Sequence, residues 1–415
     1  MDGHADVTVD VSIVGGGIAG AALATVLARE GYEVLLLERQ TIYRDKVRGE
    51  FLSCWGVAEM LALDLEKPFL DAGGHYVRRF VPYDEVIEPG LAEANAVPLN
   101  RLLPGVPGCL DVGHPQACET LARAATDAGA TVLRGVGDVE VVPGEPPMVR
   151  YELDDLVTTV SAGLVVGADG RTSSVRRQLK LTLHETRIRS LLGGMLVDGL
   201  EAWPADQMSL GTEGDVFYFV FPRANGRARL YLLHDVAQRG RFAGPDRHDA
   251  FLDAFRFRCL PDADIFRAAR PAGPCAFYPM NDTWTDGPCA PGVVLIGDAA
   301  GWNDPITGQG LSITLRDVRV VSDLLRADDD WSEATLEPYV EERRERMRRL
   351  RFGAQVQSAL YNEFGAAAQA RRTRTFARFE EDPTLMMPLV AGLVGPEAVP
   401  EDAFTEATRE RILGG

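Results

Sequence analysis

Apolar residues near the N-terminus occur in two short runs that flank a longer stretch of small residues. The runs cover residues 9–14 and 33–37, and the stretch between them, residues 18–30, has the composition of a helix. Short continuous apolar runs are typical of strands buried on both faces of a parallel sheet, and a helix is the usual connection between two such strands. The pattern therefore predicts a strand–helix–strand unit.

Two further apolar runs have the same character and end in polar residues. Residues 164–166 are followed by an Asp-Gly turn and a short helix that Thr172 is expected to cap. Residues 293–296 are followed by Gly297 and Asp298, then by a loop and a helical pattern over residues 308–326. We expect both runs to be buried strands.

Between these two runs the pattern changes to alternation. Residues 217–221 read FYFVF, and the first, third and fifth of them are expected on one face of a strand. The pair Asn225 and Gly226 predicts a tight hairpin turn, after which residues 227–233 form the returning strand. Together with residues 191–197, this indicates an antiparallel sheet.

After Trp331 the pattern is helical. Residues 341–351 alternate Glu and Arg at helical spacings, which is most simply a solvent-exposed face with ion pairs between neighbouring turns. We expect residues 353–415 to form helices that cover a pocket or a dimer surface.

Composition narrows the classes of function. The chain of 415 residues is 46% hydrophobic and 25% charged, as expected for a globular protein. Its formal net charge of −18 argues against nucleic acid as a partner. The six Cys and six His are scattered without the spacing of a metal site, so we expect no metal and reduced thiols in a cytoplasmic protein.

Candidate chemistry begins in the first strand-to-helix turn, which contains a GxGxxG sequence. Its first glycine permits a tight turn, the second lets backbone N–H groups approach a pyrophosphate at the helix N-terminus, and the third lets the helix pack on the strand. An acidic residue ends the second strand, where its carboxylate is expected to accept hydrogen bonds from ribose hydroxyls. The predicted dinucleotide-binding residues of this unit are Gly15, Gly17, Ile18, Ala19, Gly20, Glu38 and Arg39.

An alternative interpretation of residues 11–28 is a membrane-spanning helix, because they carry no charge. Glycines interrupt the start of this segment, and Gly31 closes it with the residue type that commonly ends a helix. We therefore expect no transmembrane segment.

The strand that ends at residue 296 carries a second set of candidate ligands. Asp298 is placed to hold a hydroxyl of a ribityl chain. Gly308 and Gly310 would expose backbone N–H groups at a helix N-terminus, which suits a partial negative charge.

The three motifs together resemble one family. GxGxxG with Glu38, then GADG at residues 167–170, then GDAA…P…GQG from residue 297, occur in the order and at the separations found in the class A flavin-dependent aromatic hydroxylases of the para-hydroxybenzoate hydroxylase type. The resemblance covers roughly residues 9–330. It implies that Asp169 and Gly170 contact both FAD and NAD(P)H, that Asp298 binds the flavin ribityl chain, and that Arg48 contacts the pyrophosphate. The loop that it places against the flavin ring contains Pro305, Gly308, Gln309, Gly310 and Leu311.

The resemblance also implies a reaction. A family member uses NAD(P)H and O₂ to hydroxylate or epoxidise a small hydrophobic substrate, aromatic or polycyclic, through a flavin hydroperoxide, and needs no catalytic acid–base pair. Aromatic residues of the predicted sheet are the candidates for the substrate pocket, namely Phe217, Phe219, Phe277 and Tyr278. We expect a monomer or a homodimer.

Two alternatives stay open. Gly301 stands where many family members have His, and the form GDAAGWxDPxTGxG is similar to that of the geranylgeranyl reductases, which implies a flavin-dependent reductase of isoprenoid double bonds. The other alternative is a flavin-binding protein without turnover.

The predicted fold class is α/β, with a Rossmann-like FAD-binding domain, an antiparallel substrate sheet and a helical C-terminus. The FAD-binding domain is expected to be discontinuous, over residues 1–75, 98–180 and 270–330. The substrate sheet is assigned to residues 76–97 and 181–269, and the helical segment to residues 331–415.

Overall fold

The computed structural model describes residues 7–47 and 49–414. In chain order the strands of this part are β1 (Val7–Val14), β2 (Val34–Glu38), β3 (Phe51–Leu52), β4 (His75–Val77), β5 (Arg79–Pro82), β6 (Val97–Pro98), β7 (Cys109–Asp111), β8 (Thr131–Arg134), β9 (Val139–Val142), β10 (Met148–Leu153), β11 (Leu156–Gly167), β12 (His184–Glu185), β13 (Ser190–Asp198), β14 (Gln207–Glu213), β15 (Val216–Pro222), β16 (Ala228–Asp235), β17 (Arg270–Pro271), β18 (Ala276–Met280), β19 (Thr283–Trp284), β20 (Cys289–Ala290) and β21 (Val293–Leu295).

The helices alternate with the strands in the first half of the chain and follow one another in the last part. In chain order they are α1 (Ile18–Arg29), α2 (Cys54–Ala62), α3 (Glu66–Asp71), α4 (Pro89–Ala94), α5 (His114–Asp127), α6 (Ser174–Gln178), α7 (Arg247–Asp253), α8 (Asp264–Ala268), α9 (Gly310–Ala327), α10 (Glu333–Tyr361), α11 (Ala366–Glu381), α12 (Met387–Val394) and α13 (Glu406–Leu413).

The first eight-stranded sheet confirms the predicted α/β fold. Its order is β20-β21-β11-β1-β2-β8, with β10 and β9 added beside β11. Strands β21, β11, β1, β2 and β8 run parallel. Helix α1 packs against both α5 and α9, and all five residues of β2 are buried. Covering helices explain why these strands are continuously apolar.

The second eight-stranded sheet contains the predicted hairpin. Its order is β17-β13-β16-β15-β14-β5-β6, with β18 paired to β13. Asn225 and Gly226 both have positive φ, 62° and 66°, and connect β15 to β16. The alternation in β15 is also observed, since Phe217, Phe219 and Phe221 join one core cluster while Tyr218 and Val220 join another. Every residue of β15 is buried, so both faces of this strand are covered.

The position of β17 and β18 differs from the domain boundary drawn at residue 270 in the sequence. Both strands pair with β13, so residues 270–280 extend the second sheet. The chain re-enters the first sheet at β20 and β21. Short strands of this kind carry a weak alternation signal, which explains why the boundary is not visible in the sequence.

The prediction of a solvent-exposed face over residues 341–351 is wrong for two of its arginines. These residues lie in α10, and Arg343 and Arg346 are buried, with 5% and 3% of their surface exposed. Both face Asp317 of α9, which is fully buried. The run of charges therefore includes a buried ion-pair network.

Candidate cofactor and substrate site

A cavity of about 220 Å³ lies where the two large sheets and the start of α9 meet. Predicted residues that line it are Gly17, Ile18, Ala19, Gly170, Phe219, Tyr278, Asp298, Pro305, Gly308, Gln309, Gly310 and Leu311. Further lining residues are Gly49, Glu50, Phe51, His114, Ala168, Arg171, Leu192, Phe221, Tyr231, Trp302, Asn303 and Thr314. Segments that are distant in sequence thus form one wall around a single space.

The glycines of the first turn have different geometric roles. Gly15 has φ +107°, and a Cβ on Gly20 would lie 1.9 Å from the Gly15 carbonyl oxygen, so both positions are closed to larger residues. A Cβ on Gly17 would meet nothing within 4 Å. Gly17 is also the N-cap of α1 and lines the cavity. This open space in front of a helix N-terminus fits a pyrophosphate.

Glu38 lies behind this turn and does not line the cavity. Its Oε2 accepts a hydrogen bond from the Gly16 backbone N–H at 2.7 Å, and its Oε1 accepts one from Gln40 N–H at 2.6 Å. A Cβ on Gly16 would lie 2.8 Å from the Glu38 Cβ, so Gly16 also belongs to the motif, a role that the GGG run signals in the sequence. Arg39 is exposed, and the predicted ligand Arg48 lies outside the described residues.

In the Asp-Gly turn after β11, Asp169 holds the start of α6 and Gly170 borders the cavity. Asp169 Oδ2 accepts hydrogen bonds from the backbone N–H groups of Ser174 and Val175, at 2.6 and 3.2 Å. Its other oxygen, Oδ1, is buried without a hydrogen-bond partner in the structure. Gly170 lines the cavity. The cap of α6 is Ser173, not Thr172, because the Ser173 side chain accepts from Arg176 N–H.

Asp298 faces the cavity with about a third of its side chain, 34%, exposed. Arg171 Nε lies 3.2 Å from Asp298 Oδ2, and the Arg171 guanidinium also lies 5.0 Å from the centre of the Trp302 ring. Arg171 was missed in the sequence, although it follows directly on Asp169-Gly170. The pair places one cation and one anion at the wall of the site.

The Gly297–Ala300 turn that carries Asp298 is fixed from behind. Asp317 Oδ2 accepts from Gly297 N–H at 2.8 Å and from Arg343 Nε at 3.1 Å. Arg343 Nη2 donates to the carbonyl oxygens of Gly297 and Gly301, both at 3.0 Å. The buried ion pair of Asp317 and Arg343 thus holds both ends of the turn. The charge pattern of α10 did not predict this contact, because it indicated a solvent-exposed face.

The loop between this turn and α9 lines the cavity with Pro305, Gly308 and Gln309. Gly308 has φ +66°, which favours glycine at this position. Gln309 is buried and its Oε1 accepts from Trp55 Nε1 at 2.8 Å. Helix α9 then begins at Gly310. The backbone N–H groups of Gly310 and Leu311 belong to its first turn, so they have no hydrogen-bond partner within the helix.

The aromatic wall differs in part from the predicted substrate pocket. Phe219 and Tyr278 line the cavity, whereas Phe217 and Phe277 do not. Phe217 is fully buried against Phe219 and Tyr361, and Phe277 stacks on Phe242 in the other core cluster. Additional lining residues of this wall are Phe51, Leu192, Phe221 and Tyr231. Phe221 shares the strand face of Phe219 and was therefore visible in the alternation.

A buried charge cluster lies beside the aromatic wall. Arg229 Nε is 2.6 Å from Glu50 Oε2, and Arg223 Nη2 is 3.0 Å from Glu50 Oε1, although neither N–H is aligned for a hydrogen bond. Tyr231 donates its hydroxyl hydrogen to Glu50 Oε2 at 2.9 Å. Burial raises the pKa of the neighbouring Asp111 carboxyl well above its usual range. The two arginines are thus already matched by carboxyl groups of the protein.

Asp298→Ala is expected to fold and to bind FAD about tenfold more weakly, because the ligand loses a carboxylate acceptor in the cavity wall. The ratio of FAD to protein after gel filtration and the melting temperature of the apoprotein test this. Asp329→Ala, at an exposed position, is the control. Full FAD occupancy in Asp298→Ala would show that Asp298 has no role in binding.

Comparisons with known proteins agree with this geometry. The sequence model of a family described as an FAD binding domain matches residues 8–352. A menaquinone reductase from Mycolicibacterium smegmatis is 28% identical over 351 residues, which span 78% of this chain and 78% of that protein. Squalene epoxidase 2, mitochondrial, from Arabidopsis thaliana is 26% identical over 335 residues, which span 79% of this chain and 55% of that longer protein.

The fold is shared with a solved structure. p-Nitrophenol 4-monooxygenase PnpA from Pseudomonas putida superposes with a TM-score of 0.79 at 19% identity, over 94% of this chain and 99% of that one. At that identity the likeness shows the fold alone. Among the helices of the described residues, none combines the length and the apolar character needed to cross a bilayer.

Proposed function

The chain belongs to the FAD-binding-domain family of class A flavoprotein monooxygenases, and from this we propose that it uses NAD(P)H and O₂ to oxygenate a neutral, hydrophobic substrate. The observation that carries the proposal is the single cavity that joins the Gly17 helix start, Asp298 and the Pro305 loop to an aromatic sheet face. Cofactor and substrate would meet in this space.

The residues present fit FAD. Gly17 leaves room for the pyrophosphate, and Asp298 offers an acceptor for the ribityl chain. Glu38 ends β2 and accepts from Gly16 N–H, so its part in this fit is to hold the glycine turn. When bound, FAD would supply electron transfer from NAD(P)H and the activation of O₂. The protein's own part is to hold the ring and the substrate together and to keep water out.

The wall chemistry supports a neutral substrate. Arg223 and Arg229 lie beside the cavity, but Glu50 and Asp45 already neutralise them, with Arg229 Nη2 2.7 Å from Asp45 Oδ2. A substrate carboxylate would have to displace Glu50 or Asp45 from an arginine, which is costly because Glu50 is buried. The remaining wall is aromatic or aliphatic. The relatives named for squalene and menaquinone act on large hydrophobic molecules, in line with such a wall.

A second candidate is the flavin-dependent reduction of an isoprenoid double bond, which the menaquinone reductase relative favours. Gly301, which stands where many family members have His, gives this reductase candidate no additional support. Gly301 has φ +109°, and a Cβ there would lie 2.7 Å from the Thr283 carbonyl oxygen, so the backbone itself requires glycine. Replacement of the usual His is therefore explained by the local turn and not by the reaction.

Isotope labelling distinguishes the two candidates. The FAD-loaded protein is supplied with NADPH or NADH and tested on 4-nitrophenol, indole, squalene and a short-chain menaquinone under ¹⁸O₂. We expect a substrate that stimulates NAD(P)H oxidation to gain one ¹⁸O atom, with O₂ consumed in step with product. Anaerobic turnover that adds two hydrogens and no label would instead establish the reductase.

A further inference from the structure

Residues 303–305 form the loop that borders the cavity of about 220 Å³, called here the cofactor cavity. One carboxylate, that of Asp282, holds this loop from the opposite side. Asp282 is buried, with 4% of its surface exposed. Its Oδ1 accepts hydrogen bonds from Asn303 Nδ2 at 2.7 Å and from the Asp304 backbone N–H at 2.8 Å. Asn303 and Pro305, on either side of Asp304, line the cofactor cavity. A single oxygen atom thus holds two consecutive residues of the loop, Asn303 in the cavity wall and Asp304 behind it.

Asp282 is itself fixed by backbone contacts on both sides. Its N–H donates to Thr186 Oγ1 at 2.9 Å, and its carbonyl accepts from Thr186 N–H at 3.0 Å. Thr283 N–H donates to the Trp302 carbonyl at 2.8 Å, and Trp302 N–H donates to Thr283 Oγ1 at 2.9 Å. The carboxylate is therefore a rigid anchor, and the loop takes its position from it.

A second cavity, of about 740 Å³, lies behind the loop. Asp282 and Asp304 both line it, whereas Asn303 and Pro305 line the first cavity. Residues 303–305 are thus a partition one loop thick. Because Asp304 of this partition and Asp282 behind it both border the second cavity, protons can reach their carboxyl groups without passing through the cofactor site.

We propose that Asp282 is a positioning residue for the flavin-facing loop, and that its hold on the loop depends on the proton carried by the neighbouring Asp304. This inference rests on FAD binding and is independent of whether the bound flavin oxygenates or reduces a substrate.

Burial, followed by the charge of Asp282, raises the pKa of Asp304 to about 7. The hydrogen bond that Asp304 Oδ1 accepts from Ile306 N–H at 3.0 Å opposes the shift, and so does the charge of Arg171. Burial also raises the pKa of Asp282, against its two N–H donors and the charge of Arg351. Below about pH 7 Asp304 is neutral and the loop stays on Asp282; above it, two neighbouring carboxylates repel each other. Other charged groups that border the second cavity are Arg187, Arg189, Glu363, Glu406, Arg409 and Glu410.

The visible spectrum and fluorescence of the bound flavin report the loop position without turnover. The FAD-loaded protein is titrated from about pH 5.5 to about pH 8.5, and we expect one spectral transition with a midpoint near 7. Asp304→Asn should abolish the transition and keep the low-pH spectrum throughout. Asp282→Ala should give a shifted spectrum at every pH, and Asp282→Asn, which keeps an acceptor oxygen, should restore the low-pH spectrum.

Two controls separate this effect from others. Asp286→Ala removes an exposed carboxylate of the same segment and should behave as the unmodified protein. His114→Gln tests the imidazole that lines the first cavity, and the transition should survive it. A transition that persists in Asp304→Asn, or an unshifted flavin spectrum in Asp282→Ala, overturns the proposal. If Asp282→Ala fails to fold, the Asp304→Asn and Asp282→Asn titrations still decide it.

Discussion

Asp317→Ala is expected to lower the free energy of unfolding by about 3–5 kcal/mol, because it removes the carboxylate shared by two buried guanidinium groups. Arg343 and Arg346 have their Nε and Nη2 atoms 3.1 and 2.7 Å from the Asp317 oxygens. Glu342 still pairs with Arg346, whereas Arg343 would keep only backbone carbonyls as partners. Urea unfolding of the apoprotein measures the loss.

The neighbouring Arg344 supplies the matched control, since it lies on the same helix and is exposed. Arg344→Ala should change the stability by no more than about 0.5 kcal/mol. Asp317→Asn, which keeps an acceptor for Gly297 N–H, should fall between the two. A loss below about 1 kcal/mol in Asp317→Ala would mean that water or rearrangement compensates the buried charges.

Gly17→Ala is expected to weaken FAD binding by about 10- to 100-fold while leaving the apoprotein as stable as before. The added methyl group meets no protein atom within 4 Å, so the fold accommodates it. It does occupy the space in front of the α1 N-terminus that the pyrophosphate needs. Fluorescence titration of the apoprotein with FAD, with its melting temperature measured in parallel, tests both halves of the prediction.

Two other glycines supply controls with opposite expected effects. Gly240→Ala also places its methyl group in open space, at an exposed position outside the cavity, and should affect neither property. Gly20→Ala would bring a Cβ to 1.9 Å from the Gly15 carbonyl oxygen and should destabilise the apoprotein itself. If Gly17→Ala bound FAD within twofold of the unmodified protein, the pyrophosphate would have to lie elsewhere.

The strand ends and helix starts that border the cavity were predictable because their signals are local. Strand β1, helix α1 and strand β2 follow one another with the glycines in the first turn, and the apolar runs are buried over residues 11–14 and 34–37. The end of β21 and the start of α9 are equally clear in the sequence, since Gly297 and Asp298 follow the strand and Gly308 and Gly310 precede or open the helix. Local chemistry and the final packing agree in these segments.

The C-terminal helices were not predictable in the same way. Arg343 is 26 residues from its partner Asp317, and an Arg on a helix rich in Glu looks exposed until that partner is known. Asp282, likewise, has its donors about twenty residues away, in a loop. Buried polar contacts are set by tertiary packing, which the spacing of hydrophobic residues does not encode.

Pocket residues were predicted in part for a related reason. Alternation gives the face of a strand but not the position along it, so Phe217 and Phe219 share a face while only Phe219 reaches the cavity. Helix α10 supplies Tyr361, which covers Phe217 instead. Packing on one end of the strand therefore decides which of its side chains reach the cavity: Tyr361 covers Phe217, and Phe219 is left in the cavity wall.

The walls of the cofactor cavity are drawn from residues as far apart as Gly17 and Thr314, and this has a consequence for biosynthesis. A ribosome adds about 5–20 residues per second, so roughly 15–60 s separate the synthesis of these two walls. During that interval β1 already exists, but its neighbour β11 lacks β21, and α1 lacks α9. FAD has no complete site to bind until most of the chain has been made, so a shortage of the vitamin precursor would act on the last stage of folding and leave earlier stages untouched.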